Sequence, residues 1–384
     1  MRITLTITQL EGGGAERVMV LLAQGLLQRG HAVTVVTLSS RATDFYTLPP
    51  AVQRFDLNLK QKSPTVLHGI FNTVLRLVHL RKAIHASQPN IVVSFMAFMN
   101  IFTAIALLNT PYPIVGTQHC NPRMLPIGLP WELFRRFAYR RLTRLVSVSQ
   151  GVDDEFDWLP EAQRAVIYNP FLPIDRFQAM LDYPQGVHPD RKWIVAMGRL
   201  TAAKRFDRLL TAFQQIADQH PDWQLLILGE GELRSELETL RDRLGLTEQA
   251  VFTGKIGNPF PLLQHAQLFV LSSQTEGFPM ALGEALACGI PAIATDCSQG
   301  IRELMRDGID GIVVPNGDQA ALAAAMSHLM SDDAKRKQFA SRAPEVIERF
   351  SLDRIIDRWE ELFAEVLQEA QKPSEIKRSS LSLG

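Results

Sequence analysis

Short apolar segments alternate with longer segments of helical spacing along most of the chain, and this alternation restricts the fold more than any other feature. Residues 3–8 are typical of a strand, and residues 18–27 repeat apolar side chains at helical spacing. The same alternation begins again at residues 193–198 and continues to residues 311–314. Because parallel strands need long crossover connections, which helices usually supply, the pattern predicts an α/β protein with two doubly wound parallel sheets.

Length and composition fit a globular chain of two domains. The 384 residues are 46% hydrophobic and 21% charged, which is ordinary for such chains. No uncharged apolar run approaches the length of about 18 residues that a transmembrane helix needs. The first residues have a strand pattern and not that of a signal peptide. Cys120, Cys288 and Cys297 lack C-x-x-C spacing, so we expect a reducing compartment with neither disulfides nor zinc.

Basic residues are concentrated in the first part of the chain. Between residues 17 and 152, fifteen lysine and arginine residues stand against three aspartate and glutamate residues, an excess of twelve. The net charge of the whole chain is zero, so the remainder is acidic by the same amount. Such an asymmetry indicates an anionic partner.

Two predicted amphipathic helices lie within this basic part, at residues 66–84 and 131–142. The first has an apolar face of Leu67, Ile70, Phe71, Val74 and Val78, with Arg76, Arg81 and Lys82 nearby. The second has an apolar row predicted to lie in the core, Trp131, Phe134, Phe137, Ala138 and Leu142, flanked by Arg135, Arg136, Arg140 and Arg141. The basic edges are either solvated or dock on an anionic membrane or a pyrophosphate-bearing acceptor.

Two carboxylates, Glu276 and Glu284, flank a predicted corner between a strand and a helix. Residues 268–271 form the strand pattern, Gly277 and Pro279 break the backbone, and a helix is expected to begin at about Pro279. Glu276 and Glu284 are eight positions apart, and eight residues of helix span about 12 Å. That span suits an extended ligand with an anionic group at the helix start. The alternative is a plain corner with two surface glutamates.

Three other segments place polar groups after predicted strands. The glycine-rich loop at residues 11–17 either brings backbone close to phosphate or forms a tight turn. His119 follows a strand at residues 113–117, where ligands bind in parallel folds, although a lone histidine is more often structural. Arg199 offers a planar pair of donors and Lys204 a point charge, and both suit a diphosphate. The alternative is that they mark the basic start of a helix.

These segments together resemble the retaining glycosyltransferases of the family 4 (group 1) type. Residues 276–295 read EGFPMALGEALACGIPAIAT, which is similar to the E-x7-E signature of that family. The resemblance extends to GGAER at residues 13–17, IYNP at 167–170, GRL and KRFD within 198–207, and GEG at 229–231. It covers most of the chain and is strongest from residue 198 to residue 314.

The resemblance implies the GT-B fold, in which two Rossmann-like domains face a cleft. It implies an acceptor-binding domain over residues 1–175, an interdomain linker over roughly residues 171–185 and a nucleotide-sugar donor-binding domain over residues 186–350. A helix over residues 351–371 would cross back onto the first domain, and residues 372–384 would form a flexible tail.

The resemblance also implies a reaction. A hexose or N-acetylhexosamine would pass, with retention, from a nucleotide diphosphate sugar to a lipid-linked saccharide acceptor in cell-surface glycan synthesis, and a UDP-sugar is favoured over a GDP-sugar. The implied catalytic residues are Glu276, His119, Arg199 and Lys204. The implied donor-binding residues are Gly13, Gly14, Arg199, Lys204, Gly229, Glu230, Glu276, Gly277, Phe278, Pro279, Met280, Ala281 and, for the ribose, Glu284.

No D-x-D motif is present, so neither a metal nor another cofactor is expected, and no nucleic-acid partner is expected. We expect a cytoplasmic protein held peripherally at the anionic inner face of the cell membrane. The alternatives are a sugar-nucleotide epimerase or phosphorylase of the same architecture, a dinucleotide-dependent oxidoreductase and a non-catalytic sugar-nucleotide-binding subunit. The missing G-x-G-x-x-G motif speaks against the oxidoreductase, and the intact Arg199, Lys204, Glu276 and Glu284 speak against the non-catalytic subunit.

Overall fold

A computed structural model describes residues 1–60, 65–124, 127–173 and 183–371. It divides the chain into two compact units. Unit 1 comprises Met1–Pro170 and Leu352–Gly384, and unit 2 comprises Phe171–Ser351. The tail predicted for residues 372–384 lies outside the described residues, and so does most of the predicted linker, residues 174–182.

Strands and helices alternate through both units. The elements of unit 1 up to residue 170 are β1 (Arg2–Ile7), α1 (Gly14–Gln28), β2 (Ala32–Thr37), β3 (Gln53–Asp56), α2 (Val66–Ser87), β4 (Ile91–Phe95), α3 (Ala97–Ala106), β5 (Ile114–Gln118), α4 (Leu129–Tyr139), β6 (Arg144–Ser147), α5 (Gln150–Asp153) and β7 (Arg164–Val166). The elements of unit 2 are β8 (Lys192–Met197), α6 (Phe206–Ala217), β9 (Trp223–Leu228), α7 (Arg234–Arg243), β10 (Ala250–Gly254), α8 (Phe260–His265), β11 (Leu268–Leu271), α9 (Met280–Ala287), β12 (Ala292–Asp296), α10 (Gln299–Leu304), β13 (Gly311–Pro315), α11 (Gln319–Ser331), α12 (Asp333–Arg342) and α13 (Glu345–Phe350). The last helix, α14 (Leu352–Gln371), belongs to unit 1.

The sheet of unit 1 has the strand order β3-β2-β1-β4-β5-β6-β7 among the described residues, and every pairing is parallel. The strands β1 and β4 are buried along almost their whole length because both faces of the sheet are covered. Right-handed crossovers place α2, α3 and α4 together on one face and α1 on the other. Consistently, α2 contacts α3, and α3 contacts α4.

The sheet of unit 2 has the order β10-β9-β8-β11-β12-β13 in the described part of the chain, again with every pairing parallel. Helices α6 and α11 pack beside each other on it. The apolar row of α6 is completely buried with Trp223 of β9 in one continuous core. The two doubly wound parallel sheets predicted from the alternating pattern are therefore confirmed.

Helix α14 packs on α1 within unit 1. Gly25 permits this contact, because a Cβ at its position would lie 2.5 Å from the Ile356 side chain. At the edge of the contact, Arg29 binds Asp357 at 2.7 Å and the His31 ring lies 2.7 Å from Glu360. The expectation that the C-terminal helix crosses back onto the first domain is thus confirmed.

Several local predictions were wrong. The acidic pair of Asp153 and Asp154 predicts a helix start at Asp153, but the helix begins at Gln150, because the Ser149 hydroxyl accepts from the Val152 N–H and caps it. Phe171, expected in the linker, is buried in unit 2 and stacks against Phe278. By contrast, the helix expected to begin at about Pro279 is confirmed, since α9 begins at Met280 with Pro279 as its N-cap residue. The strand β7 and the helix α13 were not predicted.

The two apolar rows predicted in the basic part of the chain correspond to α2 and α4, but they are not core rows. On α2, Leu80, Ala83 and Ile84 are buried, whereas the predicted row from Leu67 to Val78 is exposed. On α4, Ala138 at its end and Leu142 just beyond are buried, whereas Phe134 and Phe137 are about half exposed. Each helix carries two apolar stripes, and the sheet covers only one of them.

Candidate functional site

The sheet of unit 2 reverses its winding direction between β8 and β11. From β8 the chain continues to β9 on one side, and β11 lies on the other side. The crevice outside the carboxyl ends at such a switch point is where ligands bind in parallel α/β sheets. The segments that follow β8 and β11 at this point carry Lys204 and Glu276, respectively.

Lys204 and Glu276 form the central contact of the site. The Lys204 Nζ donates to the Glu276 Oε1 at 2.5 Å, and the Ser273 hydroxyl donates to the same oxygen at 2.6 Å. The two charged side chains are 22% and 12% exposed, so the pair is mostly shielded but still reachable. The loops are also joined by the Ser272 hydroxyl, which donates to the Lys204 carbonyl, and by the Gln274 N–H, which donates to the Ala203 carbonyl at 2.8 Å.

Residues at the carboxyl end of β12 complete this corner. The Thr295 hydroxyl donates to the Ser273 carbonyl at 2.6 Å, which fixes the loop that carries Glu276. The pKa of the Cys297 thiol is raised to about 12, mainly because the thiol is buried and also because the negative charge of Glu276 is nearby. The thiol therefore stays protonated. The sequence prediction did not include Ser273, Thr295 or Cys297. Hydroxyl groups at the ends of two adjacent predicted strands were the only available signal.

The other residues of the predicted corner are divided between surface and core. Arg199 is exposed, and within the described ranges its guanidinium binds no carboxylate. Glu284 is partly exposed on α9. Burial of the Cys288 thiol raises its pKa to about 12, and the negative charge of Glu284 is the second cause. Phe278 and Met280 are buried. The side chains of Phe278 and Met280 therefore stabilise the corner, and only the backbone groups of these two residues can bind a ligand.

The remaining predicted donor residues in this corner are Gly277, Pro279 and Ala281. Gly277 and Pro279 are buried on either side of Phe278, and Ala281 is partly exposed in the first turn of α9. All three therefore line the start of α9, next to the loop that holds Glu276.

The segment Gly229–Gly231 lies directly against the loop after β8. A Cβ on Gly229, whose φ is +149°, would lie 1.9 Å from the Gly198 carbonyl oxygen. The Leu200 N–H donates to the Glu230 carbonyl at 2.9 Å, and the exposed Glu230 side chain binds Arg234. These contacts set the spacing of the two loops at the carboxyl ends of β8 and β9.

In unit 1, the glycine-rich loop after β1 is closed by Glu16. The Glu16 carboxylate accepts from the N–H groups of Gly12 at 2.5 Å and Gly13 at 3.0 Å, and α1 begins at Gly14. Glu16 is 7% exposed. The backbone amide of Gly13 is therefore already bound. Sequence reasoning missed this role, although glutamate at the third helical position is the usual signal of a capping box.

His119 lies directly after β5 in unit 1. Its ring stacks on Phe95 with centroids 5.5 Å apart, and its Nε2 lies 3.0 Å from the Thr117 hydroxyl. Burial lowers the pKa of His119 to about 3, so the ring is neutral at physiological pH. A neutral imidazole can share hydrogen bonds with hydroxyl groups but is too weak a base for proton abstraction near pH 7.

A buried polar network holds this strand end in place. Asn100 donates to the Tyr139 hydroxyl at 3.1 Å and to the Thr117 carbonyl at 3.0 Å, and Tyr139 donates to Gln118 at 2.9 Å. Burial raises the pKa of Tyr139, which therefore stays protonated. The network fixes the direction in which the chain leaves β5 toward His119.

The described residues contain neither a cluster suited to a metal ion nor a helix suited to span a membrane. Outside the gaps at residues 61–64, 125–126, 174–182 and 372–384, no group of three or more histidine, cysteine, aspartate or glutamate side chains is arranged to hold a metal ion. Over the same ranges, no helix is both long and apolar enough to cross a bilayer.

Two family models match the chain, one on each half. The model of Glycosyltransferase Family 4 matches residues 12–171, and that of Glycosyl transferases group 1 matches residues 182–346.

Curated relatives support the same grouping. An uncharacterized glycosyltransferase of Methanocaldococcus jannaschii is 30% identical over 353 residues, which cover 79% of this chain and 85% of that protein. A second relative, from Campylobacter jejuni, is the GalNAc-α-(1→4)-GalNAc-α-(1→3)-diNAcBac-PP-undecaprenol α-1,4-N-acetyl-D-galactosaminyltransferase. It is 27% identical over 368 residues, which cover 95% of this chain and 99% of that protein. An exopolysaccharide phosphotransferase of Streptomyces coelicolor is 37% identical over 50% of this chain, but only 21% of that protein is matched.

A solved structure has the same fold. HepE of Anabaena, in complex with UDP and glucose, has a TM-score of 0.76 and 19% identity, and the match covers 95% of this chain and 100% of that chain. This likeness supports the GT-B fold that the resemblance implied. With both halves matched by family models and a relative at 30% identity, the chain belongs to the group 1, family 4 type glycosyltransferases.

Proposed function

We propose that this chain transfers a hexose or N-acetylhexosamine, with retention, from a UDP-sugar to a lipid-linked saccharide acceptor. The observation that carries the proposal is the pair of Lys204 and Glu276 at the switch point of unit 2, 2.5 Å apart. The UDP bound to HepE supports the donor class, and the undecaprenyl diphosphate in the name of the C. jejuni relative supports the acceptor class. The epimerase alternative has no such support.

The pair explains how a diphosphate could be held without a metal. When UDP-sugar binds, the Lys204 ammonium is shared between Glu276 and the phosphate oxygens, and the exposed Arg199 adds a bidentate contact. Glu276 then accepts hydrogen bonds from sugar hydroxyls. Because these groups are already fixed by neighbouring loops, they stabilise the charge that develops on the leaving diphosphate at little reorganisation cost.

The chemical step is a displacement at the anomeric carbon. The bond to the diphosphate oxygen breaks, the bond to the acceptor oxygen forms on the same face, and the acceptor proton passes to the leaving diphosphate. Glu284 is assigned to the ribose. His119, neutral because burial lowers its pKa to about 3, is assigned to a sugar hydroxyl as a hydrogen-bond partner and not as a base.

The proposed reaction needs no metal, and the protein works peripherally at the cytoplasmic face of an anionic membrane. The Gly13 and Gly14 loop is given a shaping role, because Glu16 already binds the amides of Gly12 and Gly13. The exposed Glu230 is assigned to the nucleoside side of the donor site.

The test is a transfer assay with purified full-length protein. UDP-hexoses, UDP-N-acetylhexosamines and a GDP-hexose are offered with a prenyl diphosphate saccharide acceptor, with and without chelator, and the anomeric configuration of the product is determined by NMR. Glu276→Gln should lower kcat about a hundred- to a thousandfold, because it removes charged contacts formed in the transition state. UDP should bind this variant at least as tightly as wild type, since Lys204 loses its competing carboxylate.

Glu236→Gln, at an exposed position on α7, is the matched control and should keep wild-type activity. Near wild-type transfer by folded Glu276→Gln would remove Glu276 from the site. An inverted product would contradict retention, and loss of activity with chelator would contradict metal independence. Conversion of the nucleotide sugar without acceptor would favour the epimerase.

A further inference from the structure

Helix α2 presents an apolar stripe to solvent. The five side chains of the row first seen in the sequence are between 43% and 79% exposed, with Leu67 and Phe71 the most exposed. At 100° per residue the centre of this row lies about 120° around α2 from the direction of Leu80 and Ile84, which are fully buried. The stripe is therefore a second apolar face, and the sheet does not cover it.

Helix α4 has the same arrangement. Its buried stripe consists of Arg135, Ala138 and Tyr139, whereas Leu129, Leu133, Phe134 and Phe137 are between 47% and 75% exposed. The exposed Phe98 belongs to α3, which contacts both α2 and α4, and its ring lies 5.0 Å from that of Trp131 on α4. Large apolar patches of this kind on a globular protein usually mark an interaction site.

The exposed side chains lie at one edge of unit 1. The C-terminal end of α2 is next to the start of β1, since the Arg2 Nε donates to the Gln88 carbonyl at 2.5 Å. The N-terminal half of α2, which carries Leu67 and Phe71, therefore lies toward the carboxyl ends of the strands. Phe98 and Leu129 lie in the first turns of α3 and α4, which follow β4 and β5. Both stripes thus begin at the edge that also carries His119.

Exposed cations border this surface at the C-terminal ends of α2 and α4, and anions are almost absent from this part of the chain. Residues 65–141 contain eight lysine and arginine residues and one carboxylate, Glu132, which is bound by Arg135. Lys82, Arg140 and Arg141 are exposed, and the Arg141 guanidinium lies 4.1 Å from the centre of the Phe137 ring. An apolar face bordered by exposed cations is the pattern of a segment that lies in a membrane interface.

Two of the basic residues first expected to bind the membrane have another task. The Arg81 guanidinium donates to the carbonyls of Ala106 and Leu108, at the end of α3, and the Arg76 Nε donates to the Leu59 carbonyl. These arginines hold α2 against its neighbours. The membrane contact therefore depends on the apolar stripes and on the exposed cations.

We propose that the exposed stripes of α2 and α4, with Phe98 between them, insert into the headgroup region of an anionic bilayer. The inference rests on the proposed function, in which the acceptor is lipid-linked and must be reached at a membrane surface. A second copy of this chain fits less well, because pairing identical surfaces would bring the exposed cations of both copies together. Anionic lipids satisfy the apolar and the charged groups at once.

The test is flotation of the full-length protein with vesicles of phosphatidylcholine alone or with phosphatidylglycerol, at low and high salt. The combined variant Leu67→Ser, Phe71→Ser, Leu133→Ser and Phe134→Ser should weaken binding to anionic vesicles at least about a hundredfold, because four apolar side chains leave the bilayer. High salt should weaken wild-type binding without abolishing it. Brominated lipids should quench the fluorescence of Trp131, and Trp131→Phe should remove that quenching.

Matched variants separate the contributions. Arg140→Gln with Arg141→Gln should lower binding to anionic vesicles about fivefold per residue and leave binding to neutral vesicles unchanged. Ile309→Ser removes an exposed apolar side chain of unit 2 and should change nothing. Wild-type vesicle binding by the four-serine variant would overturn the proposal, and so would a wild-type dimer that the variant converts to a monomer without a change in vesicle binding.

The same variants distinguish failure of this proposal from failure of the proposed function. The four-serine variant should keep transfer to a short water-soluble acceptor and lose transfer to a lipid-linked acceptor in vesicles. Vesicle binding without transfer from any donor would contradict the proposed function and leave the insertion surface intact. Full transfer to both acceptors by the four-serine variant would contradict the insertion surface alone.

Discussion

Helices α2 and α6 show the same kind of apolar row in the sequence and use it in opposite ways. On α6, Leu209, Leu210 and Phe213 are completely buried, and α11 packs beside them. On α2, Leu67 and Phe71 remain exposed, because the sheet covers the other stripe. The difference shows that helical spacing identifies an apolar face, whereas neighbours remote in sequence decide whether that face is covered.

The comparison predicts very different costs for removing the same ring from each helix. Phe213→Ala should lower the free energy of unfolding by about 3–5 kcal/mol, because it leaves a cavity in a closed core. Phe71→Ala should change it by less than about 0.5 kcal/mol, because that side chain is 65% exposed. Urea unfolding of both variants and wild type measures the difference. Similar losses would mean that Phe71 is covered in the folded protein.

A second prediction sharpens the comparison within α2 itself. Arg81→Ala should lower the free energy of unfolding by about 1–2 kcal/mol, because two backbone carbonyls at the end of α3 lose their donor. Lys82→Ala, its exposed neighbour in the chain, should cost less than about 0.5 kcal/mol and weaken binding to anionic vesicles instead. If both variants lose only vesicle binding, Arg81 belongs to the membrane surface after all.

The third prediction extends the comparison to polar groups at the strand ends. Glu276 of unit 2 keeps a charged partner in Lys204, whereas burial lowers the pKa of His119 in unit 1 from 6.5 to about 3. Between these two values the unfolded chain binds a proton that the folded protein does not bind. The contribution of neutral His119 to the stability of the fold is therefore complete above the unfolded pKa of 6.5 and is lost as the pH falls from 6.5 toward 3.

Replacement of His119 by glutamine tests this pH dependence of stability. Between pH 6.5 and pH 5.5, wild type should lose about 1 kcal/mol of stability more than His119→Gln. His79→Gln, on the exposed side of α2, is the control and should follow wild type. Thermal unfolding across this pH range is the measurement. Parallel curves for wild type and His119→Gln would show that the ring is hydrated when folded.

The sequence predicted the elements well where one physical signal dominated. Helix α14 begins one residue after the predicted start at residue 351 and ends at the predicted Gln371, because a long amphipathic pattern begins at Leu352. The helix that begins at Gln150 was misplaced by three residues, because its serine cap competed with an apparent acidic start at Asp153. Phe171 was assigned to a linker, because nothing local shows that Phe278 and Phe350 surround it.

The candidate site divides in the same way. The residue types of Lys204 and Glu276, and their positions after apolar strands, were visible in the sequence. That the two side chains bind each other was not visible, since it depends on β8 and β11 being neighbours in the sheet, where Ile194 pairs with Leu268 although 74 positions separate them in the chain. The capping of the glycine-rich loop by Glu16 follows a local rule and could have been predicted.

The sequence by itself determined the alternation of strands and helices, the family and the residue types at the strand ends, because these depend on contacts within short segments and on local motifs. Only the tertiary structure decided which apolar stripe of α2 and α4 is covered, which arginines bind carbonyls and which remain exposed, and that Lys204 meets Glu276. The physical reason is that burial and pairing are set by strand order, which brings together segments that no local pattern connects.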